Sequence, residues 1–428
     1  MSESTYHGVL SCDKALELFL SELRTPFLDV LEVSIFDSIN HVLAEDVLSP
    51  VDVPPFDRAA MDGYAVRAED VFSASESNPI PLRIIGQSII GSPFTDSVGP
   101  GETIQIDTGA KMPEGTNAVV PKEYVERSGD TALVLRSVAP YENVSKRGED
   151  IKRGDVILRK GLRISSYDVS ILKSALVSRV KVYRWPRVAI FSCGNELVDE
   201  AQEEELTRYG KVIDSSRTMI HNLLRENFCE VIDLGIVRDD PEAIKRKILE
   251  AKERADLLVT LGGTSIGERD FVPEAVRSIE GARIVVRGVS MRPGKPVVLS
   301  FINDFPIISL PGPPVAAFLG FLFFVKPVLD KLSGIRGVYV PRIIRGTLTK
   351  RLPSRPGIKH IARVRVVRQD NEYFVHPIRI TGAGVLSSIV KADGLVIVPE
   401  DVEGYEVGDS VEVVLLRDRI GVWDEEDL

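Results

Sequence analysis

From Trp185-Pro186 onward, short apolar runs alternate with amphipathic stretches long enough to be helices, and this alternation constrains the fold more than any other feature of the chain. Arg187-Val-Ala-Ile-Phe is followed by a helical stretch from Ser215 that sets Met219, Leu223 and Leu224 on one face. Val231-Ile-Asp-Leu-Gly is followed by a helix after Pro241, and Leu257-Leu-Val-Thr-Leu by a short helix after Pro273, before Ile307-Ile-Ser-Leu closes the series. Strand and helix in alternation build a doubly wound α/β domain around a mainly parallel sheet. Ligands of such a domain meet the carboxyl ends of the strands, where each helix begins with unpaired N–H groups.

The flanking sequence has a different texture. From residue 46 to 147 it consists of short β-branched runs broken by Gly and Pro, among them Leu82-Arg-Ile-Ile, Glu102-Thr-Ile-Gln-Ile, Ala118-Val-Val and Ala132-Leu-Val-Leu, which predict a small β domain. After Gly334 short strands return at 338–348, 363–367 and 411–415, with turns at Asp370-Asn371 and Glu403-Gly404. Near the start, residues 11–23 place Leu16, Leu20 and Leu23 on one helical stripe that stops at Pro26. Residues 154–182 could return to the surface this helix packs on. The expected fold class is α/β plus β in several domains: a discontinuous linking domain from residues 1–46 and 148–182, a β-rich domain from 47–147, the α/β domain from 183–333 and a C-terminal β domain from 334–428, whose acidic end from Trp423 frays.

Composition narrows the function. A length of 428 residues at roughly 150 per domain predicts about three domains. Lys plus Arg is 53 against Asp plus Glu 63, and the net charge of −10 argues against nucleic acid as a partner. Cys12, Cys193 and Cys229 have no paired spacing, so neither a disulfide framework nor a cysteine zinc site is expected. The first residues lack a basic segment followed by an apolar one, so the expected location is the cytoplasm. The strongest membrane candidate, residues 315–325, is half the length of about twenty residues that a span needs, and it reads as a buried helix.

Three turns fall where strands of the α/β domain end: Ser192-Cys-Gly-Asn-Glu196, Gly262-Gly263-Thr264-Ser265-Ile-Gly-Glu-Arg-Asp270, and Leu310-Pro311-Gly312-Pro313-Pro314. Glycines after a buried strand let backbone approach a phosphate, Thr264 and Ser265 add hydroxyl donors, and Asp270 suits Mg²⁺ held against phosphate oxygens. The plain alternative is a tight turn with a charge at a helix start. Arg292-Pro-Gly-Lys295-Pro sets two cations on a stiff frame, which suits an oxyanion or phosphate because little side-chain freedom is lost on binding; a structural turn with solvated charges is the alternative. Pro54-Pro-Phe56-Asp57-Arg-Ala-Ala-Met61-Asp62-Gly-Tyr64-Ala carries two acids within a dense loop. It is either a core loop filled by Phe56, Met61 and Tyr64 or a wall offered to a ligand. Lys146-Arg-Gly-Glu-Asp150 is a further charged turn.

Taken together these stretches resemble the molybdopterin molybdenumtransferase family, the molybdenum insertases that include the bacterial enzymes and the E domain of gephyrin. PPFDRAAMDGYA, the Asp107-Thr108-Gly109-Ala110 loop, RGEDI, FSCGNEL, RDDP, GGTSIGERD, RPGKP and LPGPP occur in the family's order over nearly the whole chain. The resemblance implies an elongated, four-domain subunit whose linking domain dimerises, giving a homodimer. It implies insertion of molybdate, or tungstate of like size and charge, into adenylylated molybdopterin with release of AMP, Mg²⁺ as cofactor, and a molybdopterin adenylyltransferase as partner. Carried over by motif, the catalytic acids are Asp57 or Asp62, Asp150, Glu196, Asp239 and Asp270, with Asp270 and Glu196 toward the metal. Substrate binding falls to Thr108, Gly262, Gly263, Thr264, Ser265, Arg292, Lys295, Pro311, Gly312 and Pro314, with Arg363 as the oxyanion-binding arginine of the last domain. The chain departs from the family pattern at Pro313, Ala316, Ser145 and Gly382-Ala383-Gly384, where Thr381, Ser387 or Lys146 are substitutes. Two competing functions are an adenylyltransferase that consumes ATP and a non-catalytic dimeric scaffold.

Overall fold

Six of the apolar runs form one sheet: β1 (Arg187–Cys193), β2 (Glu230–Val237), β3 (Leu257–Leu261), β4 (Ala282–Arg287), β5 (Val298–Ile302) and β6 (Phe305–Leu310), in the order β2-β1-β3-β6-β5-β4. This computed structural model describes residues 9–24, 28–264, 270–379 and 382–421. Strands β2, β1, β3 and β6 run parallel, while β5 is antiparallel to β6 and β4. The carboxyl ends of the parallel strands, at Val237, Cys193, Leu261 and Leu310, therefore share one edge.

Side chains along these strands alternate between two cores. Val188, Ile190, Val259 and Ile308 face one, shared with Leu319 and Phe324, whereas Ala189, Phe191, Leu258 and Ile307 face the other, covered by Ile244, Ile248 and Val272. Burial on both faces explains why the runs are continuously apolar rather than alternating. Five helices matter for the site: α1 (Cys12–Glu22), α2 (Ser215–Glu226), α3 (Pro241–Arg254), α4 (Phe271–Arg277) and α5 (Pro314–Gly320). Asp240 caps α3 by accepting from Ala243 N at 3.0 Å, with Pro241 in the first turn. Helix α4 starts at Phe271, two residues before the Pro273 expected to precede it; proline fits there because a first-turn N–H has no intrahelical partner to lose. The apolar stretch after Pro314 is buried and passes through a π-helical turn, Phe321–Val325, into the helix Lys326–Leu332. Among the described residues no helix is long and apolar enough to cross a membrane.

The chain divides into two units, Leu31–Val182 and the combination of Met1–Val30 with Tyr183–Leu428. Helix α1, capped by Ser11, buries Cys12, Ala15 and Phe19 rather than Leu16 and Leu20. Its Phe19 ring stacks on Phe301 of β5 with centroids 4.5 Å apart. The helix thus packs on the α/β sheet, and residues group with 148–182 from Leu31 onward rather than from the start of the chain. Pro26, its expected stop, lies outside the described residues, as do Ser265, Thr381 and the acidic end from Trp423.

In the same unit, Ile343–Leu348, Lys359–Gln369, Glu372–Arg379, Gly394–Val398 and Ser410–Leu415 close into a barrel, because Lys359–Gln369 pairs with both Glu372–Arg379 and Gly394–Val398. Asp370 and Asn371 have φ of 47° and 70°, the left-handed pair that a two-residue hairpin turn requires. The first barrel strand begins at Ile343 and not at 338; Val338 and Val340 are exposed. Met291–Arg292 pairs in parallel with Lys359 and His360, which ties the cationic turn to the barrel.

Within Leu31–Val182, the expected β runs form a six-stranded sheet of Gly63–Val66, Ile80–Ser88, Glu102–Ile106, Ala118–Pro121, Val125–Ser128 and Thr131–Val134. A second core gathers Ile35, Leu43, Leu158, Leu172 and Val180 beside the helix Ser166–Ser174. Tyr64 is buried, but Phe56 and Met61 are exposed, so the core reading of that loop holds for Tyr64 and fails for the other two.

Candidate functional site

Where β1, β3 and β6 end, their three turns and the turn from Arg292 to Pro296 enclose one cavity of about 1020 Å³. Glu196, Asp239, Gly262, Gly263, Thr264, Arg292, Lys295, Pro311, Gly312 and Pro314 all lie in its wall. The glycines have a geometric cause. Gly262 and Gly263 have φ of 78° and 66°, and a Cβ on Gly262 would stand 2.5 Å from the Cys193 carbonyl oxygen. Gly262 donates its own N–H to Leu310 at 3.0 Å, continuing the ladder between β3 and β6, so what it gives the cavity is close approach rather than a free donor.

The proline turn is held on two sides. Ser216 Oγ donates to the Gly312 carbonyl at 2.7 Å, and Val315 N donates to the Ala383 carbonyl at 2.9 Å. The Gly382–Gly384 segment thus brings the barrel to the cavity wall, at one of the positions where the sequence departs from the family pattern. Arg292 and Lys295 are exposed, and among the described residues neither has an ion-pair partner. Their turn is fixed by its backbone: Val289 N donates to Lys295 O at 2.9 Å, and Gly294, with φ of 123°, faces the Met291 side chain.

The acids divide into three situations. Glu196 is exposed, and its carboxylate lies 2.8 Å from where a Cβ on Gly194 would stand. Asp239 braces the same loop, since Asn195 N donates to its Oδ2 and Asp239 N donates to Asn195 Oδ1, each at 3.3 Å. Asp270 follows residues 265–269 at the start of α4 and is not in the cavity wall among the described residues. One of its oxygens is ion-paired with Arg287, while Oδ1 is buried without a hydrogen-bond partner among the described residues.

Asp57, Asp62, Asp150 and Thr108 belong to the Leu31–Val182 unit. Asp57 Oδ1 accepts from Arg147 N at 2.7 Å, and Asp150 is exposed. Thr108 donates twice to Asp62 Oδ1, from its hydroxyl at 2.6 Å and its N–H at 2.8 Å. These two bonds, the hydroxyl's first, hold the Asp62 carboxyl below the usual carboxylate range. A depressed folded-state value gives stability that is present above the unfolded value and lost as pH falls through the folded one. Thr108→Val, which keeps the backbone N–H and removes the hydroxyl, is therefore expected to raise the Asp62 titration part of the way toward the ordinary carboxylate value, as followed by NMR; an unmoved midpoint would show that the hydroxyl is not its main cause.

Arg363 is wholly buried on the barrel strand Lys359–Gln369, its Nε donating to Ser388 Oγ at 3.3 Å. Ile361, on the same strand face, and Leu395, the cross-strand partner of Arg363, belong to the core shared with the α/β sheet, and Arg363 is not among the described residues of the cavity wall. The structure adds Asp214, Ser215 and Ser216, which the sequence reading missed. An Asp-Ser-Ser run before an amphipathic helix is an ordinary capping signal, and Asp214 does cap α2, accepting from Arg217 N at 3.1 Å. Cys193 also lines the cavity, but burial, with the Asp239 charge second, pushes its thiol well above the ordinary range. Iodoacetamide at pH 8 is expected to modify it roughly 100-fold more slowly in the folded than in the unfolded protein, because the thiolate is the reactive form. Equal rates, measured by mass spectrometry, would refute a neutral buried thiol.

Chemically, the arrangement offers a mouth ringed by helix starts and hydroxyls, a pair of rigid cations, and hard carboxylate oxygens. That combination suits a phosphorylated ligand accompanied by a second oxyanion.

Comparison with known proteins gives matches along the whole chain. Residues 10–175 match the MoeA N-terminal region (domain I and II), residues 189–331 a probable molybdopterin binding domain, and residues 345–416 the MoeA C-terminal region (domain IV). A Methanocaldococcus jannaschii protein named for molybdopterin biosynthesis is 40% identical, over 94% of this chain and 98% of its own length. The molybdopterin molybdenumtransferase of Staphylococcus epidermidis is 32% identical, over 90% of this chain and 91% of its own. Among solved structures, a molybdopterin biosynthesis moeA protein from Pyrococcus horikoshii superimposes with a TM-score of 0.82 at 33% identity, covering 95% of this chain and 100% of that one.

Proposed function

The chain belongs to the molybdopterin molybdenumtransferase family and is a transferase of molybdenum cofactor biosynthesis; on that premise we propose that its cavity takes adenylylated molybdopterin and molybdate, joins the metal to the dithiolene and releases AMP. The observation that carries this reading is the meeting of the glycine and proline turns with Arg292 and Lys295 around one cavity. A pyrophosphate needs close backbone and hydroxyls, and a dianionic oxyanion needs fixed positive charge beside it. Arg292 and Lys295 hold the oxyanion near the sulfurs, while Thr264, Ser215 and Ser216 face the phosphates. Glu196 and Asp239 orient a water that attacks phosphorus, and Asp239 accepts its proton as the phosphoanhydride breaks into AMP and the molybdopterin phosphate; the two sulfurs bind molybdenum as one molybdate oxygen leaves as water with the thiol protons.

Mg²⁺ fits the donor set. The Glu196 carboxylate in the cavity wall is a hard oxygen donor, and Mg²⁺ uses few protein carboxylates, completing its shell with phosphate oxygens and water; Asp270, ion-paired with Arg287 outside the described wall, would have to turn toward the cavity to join it. When bound it offsets charge on the leaving AMP. In this reading the protein is a cytoplasmic homodimer supplied by a molybdopterin adenylyltransferase; light scattering checks the mass.

The test is incubation with adenylylated molybdopterin, molybdate and Mg²⁺, following nucleotide by chromatography. Molybdate-dependent AMP release is expected. Consumption of ATP with formation of the adenylylated pterin would identify an adenylyltransferase instead, and no nucleotide turnover of either kind would overturn the reading.

A further inference from the structure

We infer that Asp13, in the first turn of α1, is a positioning residue for the oxyanion end of the cavity, an assignment that rests on the proposed function and deepens it. Arg292 and Lys295 are exposed, so the place of each charge is set by the backbone from which their turn rises. That base is Val289–Ser290. Val289 N donates to Lys295 O at 2.9 Å and Gly288 N to Val297 O at 2.8 Å, which closes the turn on itself.

The base runs between two other segments of the chain. On one side Leu10 forms a parallel bridge with Val289, and Ser290 N donates to Leu10 O at 2.7 Å. On the other, Lys359 N donates to Ser290 O at 2.9 Å, where the pairing of Met291–Arg292 with Lys359–His360 begins. Ser290 thus uses both backbone groups to join the amino-terminal segment to the barrel strand.

A side-chain contact closes the ring. Lys359 Nζ donates to both Asp13 carboxylate oxygens at 2.8 Å. The lysine side chain is 11% exposed and the aspartate 80%, so the barrel sends a nearly dry cation out to a wet acid. Cys12, beside the acid in sequence, and Ile361, on the strand face of the lysine, belong to the apolar core, where packing alone would serve stability. A cation that meets both oxygens of one carboxylate also fixes a register. Helix α1 then reaches the exit side of the turn, where Phe19 stacks on Phe301 of β5. Entry strand, exit strand and barrel are therefore fastened to one helix.

Among the described residues Asp13 is not in the cavity wall, and it acts through Lys359. The brace raises the share of molecules that hold Arg292 and Lys295 where the oxyanion needs them. Apparent affinity falls in proportion to that share, whereas a bound oxyanion restores the position and with it the rate. Loss of Asp13 thus raises the molybdate requirement at an unchanged maximal rate.

The experiment uses the full-length protein with Asp13→Asn, Asp13→Glu and, as control, Asp304→Asn, which removes an exposed ion pair with Arg24 beyond the other end of α1. AMP release is followed against molybdate concentration at saturating adenylylated molybdopterin, and backbone hydrogen exchange of residues 288–297 by mass spectrometry. In Asp13→Asn the molybdate concentration at half-maximal rate is expected to rise about fivefold, with exchange in 288–297 quickened to a like degree, the scale of an ion pair with one solvated partner. The maximal rate and the requirement for adenylylated molybdopterin are expected to hold, Asp13→Glu to recover most of the loss, and Asp304→Asn to match the wild type. An unchanged molybdate requirement in Asp13→Asn overturns the inference. So does an equal rise for both substrates, or the same rise in Asp304→Asn, since either marks general loosening. Failure of the wild type to release AMP would strike the proposed function instead; the brace is then decided by exchange in 288–297, and an unchanged rate there in Asp13→Asn removes it.

Discussion

Replacing Lys295 with alanine is expected to slow molybdate-dependent AMP release by about 100- to 1000-fold, the loss typical when a preorganised charge is removed from the site where negative charge gathers. The side chain is exposed, and among the described residues it has no ion-pair partner. Its removal therefore orphans no buried group, and thermal unfolding should stay close to that of the wild type. The backbone around it is constrained by Pro293, Gly294 and Pro296 and by the bond from Val289, so the ammonium reaches the cavity from a frame that does not need ordering on binding. Lys295→Arg keeps the charge but spreads it over a planar fork, and an intermediate rate is expected. Rates measured at saturating adenylylated molybdopterin decide the matter: wild-type turnover in Lys295→Ala would remove the oxyanion seat from this turn.

Gly262→Ala is expected to act on the fold first and on turnover as a consequence. A left-handed φ costs a non-glycine residue about 1–2 kcal/mol. Forcing a methyl against the Cys193 carbonyl adds roughly 1–3 kcal/mol of overpacking, for about 2–5 kcal/mol in all. The clash is with backbone at the end of β1, so it cannot be relieved by a rotamer change. Gly263→Ala meets a methyl of Val272 at 2.8 Å and the Cys193 Cβ at 3.3 Å rather than a carbonyl oxygen at 2.5 Å, a milder approach, and should cost less. Urea denaturation gives the comparison. A Gly262→Ala protein as stable as the wild type would show that the turn does not take this path.

Much of the fold was legible because its strongest signals are local. A run such as Leu257–Leu261, buried at every position, permits little besides an inner strand, and consecutive glycines after it announce a turn that no side chain can enter. Helix α1 was harder. Leu16, Leu20 and Leu23 make an apolar stripe as plausible as Cys12, Ala15 and Phe19; of the first set Leu23 alone is buried, and the stacking of Phe19 on Phe301 shows which face meets the sheet. For Arg363 the motif names the residue but not its surroundings: the guanidinium is buried beside Ser388, on the strand face that Ile361 shares with the α/β core, while Ala362 and Val364 face the barrel interior. Asp214, Ser215 and Ser216 looked like a helix cap and are one; that they also face the cavity depends on the chain folding back after β1, which no short window contains.

The parallel pairing of Met291–Arg292 with Lys359–His360 has a consequence for how the protein can be taken apart. The cationic turn is seated on the carboxy-terminal module as well as on the sheet that carries the other turns. Cutting the chain after the α/β portion would keep the turns after β1, β3 and β6 in the remaining piece, yet strip the arginine of its lateral hydrogen-bonded neighbour and the proline turn of its bond to Ala383. Modularity in this molecule is therefore incomplete: the barrel is the second jaw of a vice, and its departure would spoil the grip although Arg292 and Lys295 themselves remain.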